Sequence, residues 1–316
     1  MTNSRIVADL GGTNVRFAIA ANGRYGEVTR FEVANYPSFE AAFTAFLDGL
    51  PLSGRPKAAA VDIAGPVRGD QVSLTNHPWS FSIAALRQNL GLSALRVMND
   101  FTATAMAVPY LPAADTFLVG PDADIVAGPV AVIGPGTGLG VGILVPQSGK
   151  WISVPGEGGH VTMPAATQVE ADILAVLRKR WDHVSAERVL SGAGLVSLYE
   201  AVCTIHGRAP LALSPAEVSD HAIKHTNDDC VAAFEHFCAM LGTVASDLAV
   251  TVGATGGIYI AGGILRRFKE AFAASGFRAR FESKGRFRGY VSTIPTRLIM
   301  EESPALLGLA NADLEA

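Results

Sequence analysis

The stretch "VADLGGTNVRFAIA", residues 7–20, sets the reading of the whole chain. Two runs of strand-forming residues flank an acid, two glycines and a threonine, which reads as a β-hairpin whose turn has been stripped of bulk. Glycine lets backbone N–H groups approach a phosphate with no Cβ in the way, and a threonine hydroxyl adds another donor. Asp9, at the end of the first run, is placed to hold, through water, the Mg²⁺ that accompanies a nucleotide. An ordinary tight hairpin also needs glycine, so one such turn alone decides little.

A second, weaker copy decides more. Setting "GGTNVRFAI" (11–19) beneath "PGTGLGVGI" (135–143) pairs Gly12 with Gly136, Thr13 with Thr137 and Ile19 with Ile143. Two such hairpins about 120 residues apart predict two similar lobes that each present a turn to a shared cleft. "PYLPAAD", from Pro109 to Asp115, is the expected hinge, since two prolines stop the preceding helix there.

Other strand-like runs fall at 58–63, 95–98, 130–134, 139–145, 257–261 and 291–300, besides 5–9 and 14–20 from the opening hairpin. Between them lie helical patterns. "SFEAAFTAFLDGL" has Ser38 as N-cap and Phe39, Ala42, Phe43 and Phe46 at helical spacing, and "QVEADILAVLRKRW" carries Ile173, Val176, Leu177 and Trp181. Cys230 to Thr251 reads as one long, largely buried helix. Strands and helices in alternation make an α/β protein.

Composition narrows the partners. A chain of 316 residues is long enough for two domains, and its net charge of −4 gives no reason to expect nucleic acid or an anionic membrane as the main partner. No uncharged apolar run approaches the ~18 residues that cross a bilayer, and no secretory leader pattern opens the sequence, so a cytoplasmic protein is expected. Cys203, Cys230 and Cys238 have no C-x-x-C spacing; eight residues of helix would hold the last two about 12 Å apart, too far for a disulfide. They read as buried apolar side chains.

Rival phosphate motifs fail by counting: G-x-x-x-x-G-K-[ST] is absent, and the glycines at 134, 136, 138 and 140 never satisfy G-x-G-x-x-G. In "GGIYIAGGI", Gly262 and Gly263 follow a short buried strand, where bare backbone could lie against an adenine or ribose. "RVMNDFTATAMAV" is an apolar run ending in Asn99 and Asp100 before a helix. A carboxylate at such a strand end is suited to take a proton from a substrate hydroxyl, although both residues are also good helix caps. "PGEGGH" offers Glu157 and His160 to a polyol; as half of a di-iron helix motif it fails for want of a second copy and of helix formers. Glu187 opens "ERVLSGAGL" as an early helical residue, and His77 and Trp79 in "TNHPWSFS" suit the edge or apolar face of a sugar. "FRARFESKGRFRGY" interleaves arginines with aromatics in a way that can bind nucleic acid; without a matching fold signature it reads as a solvated loop before the last strand.

Taken in order, "DLGGTN", "LTNHPWSFS", "MNDFTATA", "GPGTGLG", "PGEGGH", "ERVLSGAGL" and "IAGGI" resemble the bacterial ATP-dependent glucokinase family, over nearly the whole chain. The resemblance implies the two-lobed actin-like, ribonuclease-H-like ATPase fold with a central cleft. Its small lobe would run from 1 to 110 and take in 303–316, with a large lobe from 111 to 302. It implies transfer of phosphate from MgATP to the 6-hydroxyl of D-glucose, with Asp100 as general base and Asn99, Glu157, His160 and Glu187 on the sugar. Ala8, Asp9, Leu10, Gly11, Gly12, Thr13 and Asn14, with Thr137 and Gly138, would face the phosphates, and Gly262 and Gly263 the adenosine. Family members are commonly homodimers. The related repressor, ORF and kinase group carries a zinc-binding C-x-C-x-x-x-x-C cluster that this chain lacks. Other hexose kinases of the same fold and non-sugar actin-like ATPases are the alternatives; the latter have no use for Asn99, Asp100, Glu157 and His160 as a set.

Overall fold

A computed structural model of the chain describes residues 4–74, 77–123 and 125–314. The chain forms two compact units, one of residues 1–111 with 302–316 and one of residues 112–301.

The smaller unit is built on the opening hairpin, β1 (Arg5–Leu10) and β2 (Asn14–Ala21), with β3 (Arg24–Tyr25) and β4 (Thr29–Glu32) both on the far edge of β2. After helix α1 (Phe39–Asp48), strand β5 (Ala58–Ile63) pairs parallel to β1. A short ribbon of β6 (Gln71–Ser73) and β7 (Ser80–Ser82) and helix α2 (Ile83–Asn89) lead to β8 (Ala94–Asn99), parallel to β5. Helix α3 (Asp100–Ala107) follows at once.

Strand alternation sorts the two faces of this sheet. Ile6, Ala8, Leu10, Ala59, Val61 and Ile63 point into a core shared with Phe39, Phe43 and Phe46 of α1. Phe17 lies at its centre, stacked on Phe46 at 4.8 Å and edge-on to Phe43 at 5.4 Å. Ser38 caps α1 by accepting from the Ala41 N–H. Val7, Asp9, Ala60 and Asp62 therefore belong to the opposite face, where α3 and the C-terminal helix (Pro304–Asn311) lie. Those helices nearly touch backbone to backbone: a Cβ on Gly308 would stand 1.8 Å from the Ala103 carbonyl oxygen.

The larger unit repeats the plan. Strands β9 (Thr116–Leu118), β10 (Val130–Pro135), β11 (Leu139–Gln147), β12 (Lys150–Val154), β13 (Gly257–Ile260) and β14 (Thr296–Ile299) form one sheet in the order β12-β11-β10-β13-β14-β9. As in the first sheet, an antiparallel hairpin pairs through its first strand with a parallel strand, which pairs with a second. The copies differ by one residue at the turn: Leu10 pairs with Val15 across four residues, Pro135 with Leu139 across three.

Helices α4 (Gln168–Leu177), α5 (Gly192–Ile205), α6 (Pro215–Ile223) and α7 (Asp228–Val252) fill the long insertion between β12 and β13. The last, 25 residues long and capped by Asn227, contains the long helix expected from Cys230 to Thr251. All three cysteines are buried and free. Helix α4 stops at Leu177, leaving Trp181 beyond its end with the Arg188 guanidinium 4.8 Å from its ring centre.

Two expectations fail after β13. Residues 277–290 are not a solvated loop but α10 (Phe277–Glu282), a 3₁₀ turn and the start of α11 (Arg288–Ser292), which follow α8 (Gly263–Arg267) and α9 (Lys269–Ala274). Phe277 and Phe281 are fully buried, and Arg278, also buried, donates to the carbonyls of Ser292 and Ile294, the Thr296 hydroxyl and Glu282. The first half of the arginine-aromatic alternation is thus a buried helix face that stitches the chain before β14, while Arg286, Phe287, Arg288 and Tyr290 are exposed. For the same reason the strand expected over 291–300 begins only at Thr296, since Val291 and Ser292 close α11.

Asp229, in the first turn of α7, is 6% exposed and takes hydrogen bonds from Arg208 and from His206 Nδ1 at 2.7 Å. Burial alone would raise its carboxyl; the donors from Arg208, His206 and Cys203 outweigh that and hold it below the ordinary aspartate value. Its stabilising contribution is therefore present above the unfolded-state pKa and is lost as the pH falls through the lowered one. Asp229→Asn is expected to cost about 2 kcal/mol at neutral pH, a drop of several degrees in Tm. Calorimetry should find that gap closing at acid pH, and a gap that ignores pH would detach the ion cluster from stability.

Candidate active site

In the smaller unit, the polar residues collect where β1, β5 and β8 end together. Parallel pairing sets Asp9 opposite Asp62 and Ile63 opposite Asn99. The turn beyond β1 is closed by a hydrogen bond from Gly11 N to Asn14 O at 3.0 Å and pinned by Val33 N to Thr13 O at 3.0 Å, with Gly12 and Thr13 exposed at its tip. Ala8 and Leu10 are fully buried in the core, so only their backbone can serve a ligand.

Asn99 caps α3: its Oδ1 accepts from Phe101 N at 2.9 Å and Thr102 N at 3.2 Å, while Nδ2 donates to Gly65 O at 3.2 Å. The capping role weighed for "ND" thus falls on Asn99, which keeps one amide hydrogen to spare. Asp100, half-buried, is the first residue of the helix, and its Oδ1 accepts from Phe101 N at 2.9 Å.

Asp62 was not among the expected site residues. It is fully buried, and no donor among the described residues reaches either of its oxygens. Its polar neighbour is the carboxylate of Asp9, which in turn accepts from Arg16 Nη1 at 2.9 Å. Burial pushes the Asp62 carboxyl well above the usual aspartate range, the charges of Asp9 and Asp100 push the same way, and Arg16 opposes them. The signal was legible: one acid in the otherwise apolar "AAAVDI". An acidic excess of hard oxygen donors fits a magnesium ion. No group of three or more His, Cys, Asp or Glu among the described residues is arranged to hold a metal, so any cation here has at most two protein carboxylates.

His77 and Trp79 meet a different fate. Trp79 is 6% exposed and packs into the core of this unit, its ring edge-on to His77 at 5.0 Å, so its face is not open to a sugar. Thr75 and Asn76 of the same segment lie outside the described residues.

In the larger unit, the turn between β10 and β11 is closed by Gly136 N to Gly138 O at 2.8 Å and tied to the start of α5 by Gly192 N to Gly136 O at 2.9 Å. Gly136 and Thr137 are exposed. Glu187 is not helical; it lies five residues before α5, and its Oε2 accepts from Leu139 N at 3.0 Å. Its own N–H donates to Gly159 O at 2.9 Å, within the "EGGH" turn. That turn can approach only because it is glycine. A Cβ on Gly159 would stand 2.0 Å from the Leu139 carbonyl oxygen, and one on Gly158 would meet Val141 at 2.9 Å. Glu157 and His160, both exposed, are joined by His160 N to Glu157 O at 3.0 Å. Three of the expected sugar-binding residues, Glu157, His160 and Glu187, are thus carried on one hydrogen-bonded frame against β11.

Gly262 and Gly263 close β13. Gly262 takes φ +132°, where a side chain is strained, and a Cβ there would stand 2.4 Å from Pro135 O at the end of β10. Gly263 opens α8 where a side chain would meet open space, leaving bare backbone at the surface. No helix among the described residues is long and apolar enough to cross a membrane.

The family model described as Glucokinase matches residues 6–315. A protein named glucokinase from Nitrobacter hamburgensis is 60% identical over 315 residues, which span 100% of this chain and 98% of that one. A crystal structure of glucokinase from an Antarctic psychrotroph is 36% identical, covers 100% of this chain and 99% of the other, and superposes with a TM-score of 0.90. A ROK family glucokinase from Streptomyces griseus, solved with glucose and AMPPNP, is 18% identical with a TM-score of 0.66 over 99% and 100% of the two chains, and shares the fold. The duplicated sheets and these likenesses agree on an actin-like, ribonuclease-H-like architecture. The chain belongs to the glucokinase family.

Proposed function

We propose that this chain transfers the γ-phosphoryl group of MgATP to the 6-hydroxyl of D-glucose, giving glucose 6-phosphate and ADP. One observation carries the reading: a chain of the glucokinase family puts an aspartate, Asp100, at the end of β8 with its helix cap supplied by the neighbouring Asn99. Asn99 Oδ1 serves both Phe101 N and Thr102 N, so the cap does not depend on Asp100, whose Oδ1 shares the first of those donors and whose carboxylate would serve as base.

In the proposed step the Asp100 carboxylate takes the proton of the 6-hydroxyl as that oxygen bonds to the γ-phosphorus. The bond from phosphorus to the bridging oxygen breaks, and its electron pair leaves on ADP. Alignment supplies most of the acceleration. Asn99 would give its spare amide hydrogen to a neighbouring hydroxyl. Glu187, one oxygen held by Leu139, would offer the other to the sugar beside Glu157 and His160. The exposed glycine-threonine turns at 11–14 and 136–138 would hold phosphate oxygens by N–H groups, with Gly262 and Gly263 against the adenosine. Mg²⁺, when bound, neutralises charge on the phosphates, and Asp9 would hold it through water.

A coupled ADP-release assay across a panel of hexoses tests the whole reading: glucose should give the highest kcat/KM, and release that needs no hexose would overturn it. Asp100→Asn should lower kcat by at least ~10² while leaving glucose affinity within an order of magnitude; a fully active variant removes Asp100 from the chemistry. Gly159→Ala, whose methyl would collide with the Leu139 carbonyl, should raise the KM for glucose by about tenfold or more and leave that for ATP nearly unchanged. Equal shifts in both would place the "EGGH" turn outside the sugar site.

A further inference from the structure

Asp62 is the one group at the ends of these strands that the proposed reaction leaves without a task. It sits opposite Asp9 in the parallel register of β1 and β5, and both side chains belong to the sheet face that carries α3. Asp62 is fully buried, Asp9 is one-fifth exposed above it, and neither Asp62 oxygen meets a hydrogen-bond donor among the described residues. Arg16 is already engaged on Asp9 Oδ2, and Asp100 adds a third negative charge nearby. Nothing in the α1 core requires an acid at this place, since Asp62 points away from it. A buried carboxylate that no donor satisfies is among the more expensive features a fold can keep.

We propose that Asp62 and Asp9 together form a divalent-cation site in which Asp62 is a direct ligand, so that the protein binds Mg²⁺ or Mn²⁺ before any nucleotide arrives. Two carboxylates balance the charge of one such ion. A magnesium ion about 2.1 Å from an Asp62 oxygen would carry water within reach of Asp9, whose side chain is in hydrogen-bonding contact with that of Asp62. Water and phosphate oxygens would complete the shell, as is usual for this ion. The inference deepens the kinase reading, since the cation is the one that accompanies ATP, but its test needs no turnover.

The test uses the whole protein freed of metal with a chelator. Titration with Mn²⁺ in the absence of nucleotide, followed by electron paramagnetic resonance and by calorimetry, should find one site per chain and a rise in Tm. Asp62→Asn should weaken that site at least tenfold. The same variant without metal should be at least as stable as the parent chain, because a neutral amide replaces a buried acid. If the parent chain binds no Mn²⁺ below millimolar concentration, or shows no Mn²⁺-dependent rise in Tm, the proposal fails, whether or not the variant folds. If Asp62→Asn binds Mn²⁺ as tightly as the parent, Asp62 is instead a protonated partner of Asp9 and the proposal likewise fails. Hexose-dependent ADP release, measured in parallel, judges the kinase reading separately: a Mn²⁺ site without turnover sinks only that reading, and turnover without a Mn²⁺ site sinks only this inference.

Discussion

Parallel pairing between the first strand of a hairpin and the strand that comes next governs the chemistry of the smaller unit. It sets β1, β5 and β8 side by side with their ends level, so residues far apart in sequence, Asp9, Asp62 and Asn99 with Asp100, reach one end of one sheet. A one-residue slip of β5 would turn Asp62 into the phenylalanine core and Val61 or Ile63 out beside Asp9, so the register is held by the same alternation that builds the core. Chemistry and packing are therefore not separable here: the strand that contributes an acid on one face contributes three core residues on the other.

The larger unit reaches its polar set by another route. Its strand ends present bare backbone, Gly136 to Gly138 and Gly262 with Gly263, and the charged groups come from a loop and a turn laid against β11. What holds them is close approach. The carbonyl of Leu139 lies where Gly159 would carry a methyl, and the amide of the same residue receives Glu187. One residue with an unremarkable apolar side chain thus fixes both the turn that carries Glu157 and His160 and the carboxylate of Glu187.

Much of this was legible in the sequence, and the failures have physical reasons. The glycine turns, the Ser38 cap, the long helix α7 and the strand before Asn99 follow from periodicity and capping chemistry. Segment 277–290 misled because Arg278 and Arg280 look solvated in a sequence, whereas Arg278 satisfies its guanidinium on main-chain carbonyls and Arg280 pairs with the buried Glu170. Trp79 misled in the opposite sense, an aromatic beside a histidine that went to the core. Glu187 read as a helix-start residue because nothing local reveals a partner 48 positions away. Asp62 could have been found by asking why an apolar strand contains one acid.

The contact between Gly308 and Ala103 has a consequence for how the molecule comes into being. The smaller unit draws on both ends of the chain, and its α3 face is covered by a helix that leaves the ribosome about 200 residues after the sheet it covers. During synthesis that sheet must wait with Val7 and Ala60 uncovered while the other unit is made and folds, a delay on the order of ten seconds or more at ordinary elongation rates. The interval exposes apolar strands to chance association, and the near-backbone fit of the last helix is what ends it.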